Sequence, residues 1–406
     1  MTQRFIIIGA GQAGAQAAIS LRQAGFDGEI VMIGGEPAPP YQRPPLSKAY
    51  LKGDLAEERL YLRPADFYAA QNIDLRLSDQ VTIIDRGAKT VHTEAGLKLA
   101  YDKLLIATGA PPRRLTVSGS DLEGVFYLRT HADSNALRAV LTCKGRVVIV
   151  GAGYIGLEVA AVARQAGRDV TVLEMADRVL ARVASKPVSD FYEKLHADAG
   201  VDLRLGATLK GFEGKNGKLS GATLANGQTI DCAAALVGIG AVPEVTLAAE
   251  AGLTVANGIV VDDHACSVDE DIYAAGDCTN FPSPRYGRRM RLESVPNAIE
   301  QAKVAAANMA GSDVIYDALP WFWSDQYDVK LQTVGLSEGH DELIVRGMPD
   351  VKKFSVWYFK NGGLLATDAV NDPSAFAMAK RVLTAAANVD AEKIRDPAVD
   401  LKSLLS

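Results

Sequence analysis

Two hexapeptides of one pattern carry the most legible chemistry in this chain. Gly9-Ala10-Gly11-Gln12-Ala13-Gly14 and Gly151-Ala152-Gly153-Tyr154-Ile155-Gly156 space three glycines identically. Each follows a short β-branched or aromatic run and leads into apolar residues at helical spacing. In that setting the first glycine permits a tight turn. The second lets a pyrophosphate approach the backbone, and the third lets helix and strand pack closely. The helix start offers free N–H groups and a positive dipole end to the phosphates. An acid follows each motif where a carboxylate accepts hydrogen bonds from an adenosine ribose: Glu36 in one case and Glu174 in the other. Glu174 would bond both ribose hydroxyls and repel a 2′-phosphate, which favours NADH over NADPH. Arg178 competes with that reading, because an arginine binds such a phosphate.

These motifs need strands and helices to hold them. The pattern predicts strands over 5–8 and 30–33 with a helix between, and the same over 147–150 and 170–173. Ala13, Ala17, Ser20, Leu21 and Ala24 form one predicted helical stripe; Ile155, Val159, Val162, Ala163 and Ala166 form the other. Gly25 and Gly167 fall at left-handed helix ends. The expected fold class is therefore α/β, with two Rossmann-like dinucleotide-binding domains. Residues 37–46 contain five prolines and read as a stiff loop without regular structure. Residues 210–231 read as β-hairpins. From about Ala318 the texture becomes antiparallel: LQTVGL, LIVRG, FSVWYF and LLATDAV, then a helix near 373–387. That predicts a C-terminal α+β domain, with a loose tail after Pro397. The expected boundaries are 1–112 with 240–318, then 113–239, then 319–406.

Composition narrows the function. A net charge of −6 argues against a general nucleic-acid or anionic-membrane binder. Cys143, Cys232, Cys266 and Cys278 form no CxxC or CxxxxC motif, so neither a metal-binding nor a flavin-linked dithiol is expected. Four cysteines in a chain this long suit a reducing compartment. Five histidines without HxxxH or HExxH spacing predict no metal site. The longest uncharged apolar runs, 147–157 and 232–242, fall short of the roughly 20 residues of a membrane span. The first predicted strand leaves no room for a signal peptide. A soluble, cytoplasmic protein is the expectation.

Two more segments decide the division of labour. Ile106-Ala107-Thr108-Gly109 and Ala275-Gly276-Asp277 are strand ends closed by a glycine. Asp277 offers a carboxylate to a polyol such as a ribityl chain. With these, the sequence resembles the FAD-dependent pyridine-nucleotide reductases of glutathione-reductase-like architecture. Within them it is similar to the NADH:ferredoxin reductases that feed bacterial cytochromes P450 and Rieske dioxygenases. The likeness rests on RPPLSKAYL (43–51), IATG (106–109), YLRT (127–130), VGAGYIGLEVAA (150–161), GDC (276–278), ESVPNAIEQA (293–302) and PWFWSDQY (320–327).

The resemblance implies non-covalent FAD at Gly9, Gly11, Ala13, Gly14, Glu36, Arg43, Lys48, Val81, Ala107, Thr108, Gly109, Arg129, Gly276, Asp277 and Val295. It implies NAD(H) at Gly151, Gly153, Tyr154, Ile155, Gly156, Glu158, Glu174 and Gly240. Near relatives carry Asp where this chain has Gly35, so Glu36 stands in as the ribose acid. Lys48 and Glu158 match a family ion pair beside the flavin, where lysine stabilises negative charge and glutamate orients nicotinamide. Trp323 matches a tryptophan on the face where an iron–sulfur partner docks, while Trp321 and Phe322 read as core.

Related dithiol enzymes carry sulfur beside the flavin; here that stretch is PPYQRPPLSK, without cysteine. The resemblance then implies hydride transfer from NADH to FAD and single-electron transfer to a [2Fe–2S] ferredoxin. Such ferredoxins are usually acidic, as is this chain, so a local basic patch must attract them. Arg63, Lys303 and Lys330 are the candidates. Two alternatives stay open: a flavoprotein with a small-molecule acceptor, and a non-enzymatic nucleotide-binding protein of the apoptosis-inducing-factor kind. Replacing all four cysteines by Ser or Ala is expected to leave NADH-to-acceptor turnover within about twofold, as steady-state assays of the folded, flavin-loaded variant would measure. Loss of turnover would restore a thiol mechanism.

Overall fold

The computed structural model describes residues 2–142 and 144–405. The chain forms two compact units. One comprises the residues up to Gln42, Ala56–Pro111 and Ala241–Ala318; the other comprises Arg43–Leu55, Pro112–Gly240 and the residues from Leu319 onward.

The first unit is built on a five-stranded sheet, in the order Ile272–Ala274, Lys103–Ile106, Arg4–Ile8, Glu29–Gly34, Ile73–Leu77. All its pairings are parallel. Continuous apolar runs such as Phe5 to Ile8 are what a sheet buried on both faces requires. The helices Gln12–Gln23 and Val295–Met309 pack on one another through small residues. Ala13, Ala17, Ala298, Ala302 and Ala305 are buried there. Gly25 closes the first helix at φ +82°, the left-handed conformation that its sequence position predicts. Ala24 and its counterpart Ala166, placed above on the helical stripes, are the C-cap residues just beyond their helices and are exposed.

The second unit contains a parallel sheet of the same kind: Asp202–Arg204, Val170–Leu173, Val147–Val150, Ala234–Val237, Val125–Phe126. Residues 209–231 form the expected antiparallel strands, Leu209–Lys215, Lys218–Leu224 and Thr229–Asp231. The C-terminal sheet runs Trp321–Gln326, Val329–Gly335, Gly363–Val370, Lys353–Lys360, Glu342–Met348, all antiparallel. The helix Pro373–Ala385 covers one face. This unit joins the sheets: Phe191 meets Phe354 edge-on at 5.1 Å, and Ser185 Oγ lies 2.7 Å from the Tyr358 hydroxyl.

Two local expectations are corrected. The proline-rich stretch contains a 3-10 helix, Pro44–Ser47, because prolines in a first turn already hold the helical φ and need no donor. The residues after Pro397 are not loose. The Arg346 guanidinium donates to the carbonyls of Ile394, Asp396, Pro397 and Val399, and Leu404 is buried in the C-terminal core.

Asp368 is buried in the C-terminal sheet, with Tyr358 OH donating to Oδ2 at 2.5 Å. Burial pushes its carboxyl up to about 7, and the Tyr358 hydrogen bond opposes this only in part. The native state therefore keeps a proton that the unfolded chain, with a carboxyl near 3.9, has already released. This contribution to stability is greatest below about pH 4 and is lost as pH rises towards 7. Urea melts should show Asp368→Asn gaining stability relative to the parent across that window; a pH-independent difference would refute the assignment.

Candidate active site

The three first-unit motifs converge at the carboxyl ends of the parallel strands, where α/β sheets bind ligands. A Cβ on Gly9, which has φ +109°, would lie 2.3 Å from the Ala107 carbonyl oxygen. One on Gly14 would lie 1.9 Å from the Gly9 oxygen. One on Gly276, at φ +89°, would meet the Ala13 Cβ at 3.2 Å. Around Gly11 a Cβ would meet nothing within 4 Å. No side chain caps the helix that begins there. Two glycines thus serve packing, and the third opens a space over free amides that suits a pyrophosphate.

The neighbours of this cradle are ordered by their own partners. Thr108 Oγ1 donates to the Glu244 carbonyl at 2.7 Å, and Glu244 N–H donates to the Gly109 carbonyl. Glu36 follows the second strand, half-buried, with Tyr41 OH donating to Oε2 at 2.5 Å. A Cβ at Gly35 would come within 2.8 Å of the Gln80 side chain. The Gln80 side chain thus lies against position 35, and Val81 begins the adjoining strand Val81–Asp85. Val295 is the first residue of its helix, behind Ser294, whose hydroxyl accepts from Asn297 N–H.

Sequence reasoning passed over Gln301. It is fully buried, and its Oε1 accepts from both Gly276 N–H and Thr279 Oγ1 at 2.8 Å, which fixes the turn carrying Asp277. It lies inside ESVPNAIEQA, so the signal was present without a role attached.

The second unit repeats the cradle. Cβ atoms on Gly151 and Gly156 would lie 2.5 Å from the Gly238 oxygen and 2.1 Å from the Gly151 oxygen, and around Gly153 a Cβ would meet nothing within 4 Å. Gly240 has φ +100°, and its carbonyl accepts from Arg113 N–H. Ile155, placed above on the helical stripe, is 46% exposed, because it sits in the first turn beside the open cradle. Glu174 lies at the end of its strand. Its Oε2 accepts from Ala152 N–H at 2.7 Å and its Oε1 from Ala176 N–H at 2.9 Å. Arg178 is committed inward, donating to the Ala181 and Ala184 carbonyls and to Ser189 Oγ. These bonds turn its guanidinium away from the position in which it would meet a 2′-phosphate.

Lys48 and Glu158 are brought together, with Nζ 2.7 Å from Oε2. Glu158 is 2% exposed, on the Tyr154–Gln165 helix. Ser47 Oγ donates to Oε2 at 2.5 Å and Ser324 Oγ to Oε1 at 2.6 Å. Arg43 and Arg129 also belong to this unit, Arg43 Nη1 donating to the Arg129 carbonyl at 2.6 Å. Trp323 is half-buried on the strand Trp321–Gln326, 5.6 Å from Trp321 between ring centroids. Trp321 and Phe322 are half-buried rather than core: Trp321 packs on Phe376 and under Lys380, and Phe322 on Tyr154.

Arg63, Lys303 and Lys330 are exposed. Lys303 is paired with Glu300 at 2.7 Å. Arg63 and Lys303 belong to the first unit and Lys330 to the second. Burial pushes the Cys232 and Cys266 thiols up to about 12 and about 11, and raises Cys278. None is poised to form a thiolate; Cys143 lies outside the described residues. Among the described residues, Asp262, Asp263 and His264 form the one cluster of possible metal ligands, and both His264 ring nitrogens are engaged by Asp263 and Asp313. No helix among the described residues is long and apolar enough to cross a membrane.

Two glycine cradles on two parallel sheets, followed by an antiparallel C-terminal sheet, define a nucleotide-dependent oxidoreductase. Residues 3–302 match the family described as pyridine nucleotide-disulphide oxidoreductase, and residues 321–405 match the reductase C-terminal family. This chain belongs to the pyridine nucleotide-disulphide oxidoreductases. It is 44% identical to rhodocoxin reductase of Rhodococcus erythropolis, over 98% of this chain and 93% of that protein. Its structure is similar to that of the ferredoxin reductase for the CYP199A2 system of Rhodopseudomonas palustris, at 41% identity, TM-score 0.97 and full coverage of both chains. It is equally similar to the reductase in the covalent putidaredoxin reductase–putidaredoxin complex, at 44% identity and TM-score 0.97, covering 99% of this chain and 98% of that one.

Replacing Glu174 with Ala or Arg is expected to lower the NADH-to-NADPH ratio of kcat/KM by about tenfold or more, since a charged hydrogen-bond acceptor is lost. An unchanged ratio would move the discrimination to another residue.

Proposed function

We propose that this chain is an FAD-dependent NADH:ferredoxin reductase, which passes single electrons to a [2Fe–2S] ferredoxin serving a cytochrome P450 or a related oxygenase. The observation that carries the reading is the pair of cradles, each with an open second glycine, in a chain similar over its full length to ferredoxin reductases. Gly9, Gly11 and Gly14 would hold the FAD pyrophosphate, with Glu36 on its ribose and Asp277 on its polyol. Gly151, Gly153 and Gly156 would hold that of NADH. When bound, the flavin supplies hydride acceptance and one-electron release, which no side chain offers.

The protein's own part is then positional and electrostatic. Lys48, held against Glu158, places a positive charge where negative charge develops. Glu158 orients the nicotinamide, and Trp323 lies on the partner's side. The Cys232, Cys266 and Cys278 thiols, raised in pKa, take no part. No side chain is needed as a general acid or base.

The test is reduction of a panel of [2Fe–2S] ferredoxins by NADH and the purified protein, followed by absorbance. The protein should be yellow and should release one FAD per chain on acid precipitation. A ferredoxin should be reduced much faster than dyes or oxygen. Raising salt should slow that step by screening charges beyond about 8–10 Å while leaving flavin reduction nearly unchanged. Dyes or oxygen reduced as fast as every ferredoxin would point to a small acceptor. Indifference to salt would move docking from Arg63, Lys303 and Lys330 to apolar contacts at Trp323.

A further inference from the structure

Glu158 does not end at Lys48. From its other oxygen a line of hydrogen bonds runs through the interior of the second unit. Ser324 Oγ donates to Glu158 Oε1 at 2.6 Å, and Gln326 Nε2 donates to Ser324 Oγ at 3.2 Å. His196 Nε2 lies 2.8 Å from Gln326 Oε1, and the Tyr327 hydroxyl lies 3.3 Å from His196 Nδ1. Glu158, Ser324, Gln326 and His196 are all buried, none more than 2% exposed. Burial holds the His196 ring down to about 4, with the Gln326 hydrogen bond opposing this, so the imidazole is neutral near pH 7. A neutral ring that meets a carbonyl oxygen at Nε2 carries its proton there and accepts at Nδ1. Every bond then points the same way, from Tyr327 to the carboxylate, and each polarises the next.

The geometry of the strand turn supports a purpose for this line. Tyr327 follows directly on the strand Trp321–Gln326 and adopts φ +56°, a left-handed position where Gly, Asn or Asp is expected. A tyrosine there is uncommon, and its hydroxyl is the end of the line. Ser324 and Gln326 alternate with Trp323 along the strand and face inward, and His196 comes from the helix Lys186–Asp198.

We infer that Ser324, Gln326 and His196 are positioning residues for the NADH half-reaction, acting through Glu158 as a one-way hydrogen-bond line that fixes its carboxylate against Lys48. This rests on the role proposed above for Glu158. No proton moves along the line; it orients an acceptor. Fixing one carboxylate oxygen from behind leaves the other for Lys48 and Ser47, and limits the rotation that would break the pair.

The test is stopped-flow reduction of the flavin-loaded protein by NADH, with melting temperature and flavin content measured alongside. Ser324→Ala and Gln326→Leu should each lower the limiting reduction rate about fivefold, the effect of losing one orienting hydrogen bond. The NADH dissociation constant and the ferredoxin KM should stay unchanged, which a general loss of structure would not produce. His196→Phe should have a smaller effect, and His196→Phe added to Gln326→Leu should slow reduction no further than Gln326→Leu alone. Ser324→Ala deletes a single oxygen, so it carries the test if Gln326→Leu does not load flavin. Full limiting rates in folded Ser324→Ala, or independent effects in the double variant, would overturn the inference. Glu158→Ala separates the two levels. If it leaves the rate unchanged, the role of Glu158 fails and the line with it. If it slows reduction while Ser324→Ala does not, the line alone fails.

Discussion

A Cβ at Gly14 would overlap the Gly9 carbonyl, and one at Gly156 would overlap the Gly151 carbonyl. In each parallel sheet the helix start therefore rests directly on the end of a strand, with backbone against backbone. From that approach the rest of the cradle follows. The helix axis aims its free amides past the sheet edge, and the following strand brings an acid to the rim. Gly9 and Gly151 themselves hold positive φ, so no other residue serves at either place without strain. The two sheets share this solution to the atom types involved and differ in what surrounds it.

Those surroundings separate the two cradles. In the first, alanines on two helices bring the Asp277 turn against the helix start, and Gln301 pins that turn from beneath. In the second, exposed Ile155 and the doubly anchored Glu174 carboxylate form the rim. The Lys48–Glu158 pair, with its buried carboxylate, is assembled within the second unit from two separate stretches of chain, and the C-terminal sheet supplies Ser324 to it from a third. That sheet thus does more than cap the chain: one of its strands presents Trp323 on one face and a donor to Glu158 on the other.

Much of this was legible in the sequence because it depends on local rules. GAGxxG between a β-branched run and an apolar helix pattern, glycine at a helix end, and Asn-Gly between alternating strands each depend on a few neighbouring residues. Lys48 and Glu158 needed the family resemblance, since nothing local says that residues so far apart will meet. What escaped was set by distant partners. The tail after Pro397 is too short to show a period of its own, and what holds it is remote in sequence: the Arg346 guanidinium on the Val399 carbonyl and the C-terminal core around Leu404. Ala24, Ala166 and Ile155 fit a helical period but lie at helix ends, the two alanines as C-caps and Ile155 in a first turn, where the period no longer decides burial. Gln301, though inside a matching stretch, and His196 were given no role because a buried amide or imidazole is recognised by its partners, not by its neighbours in sequence.

The first unit's sheet has one further consequence, for the order in which the chain folds. Its strand Lys103–Ile106 is flanked by Arg4–Ile8 on one side and by Ile272–Ala274 on the other. The alanine face of its first helix packs against Val295–Met309. A chain emerging from the ribosome therefore displays an open sheet edge and an uncovered apolar helix while the whole of residues 112–240 is being made. Closing so long a loop is slow, and the incomplete sheet is prone to aggregate in the interval. The inserted stretch holds all the strands of its own parallel sheet and can build that sheet first. The unit that begins the sequence is thus finished late, and a chain cut short before residue 272 leaves it without an edge strand.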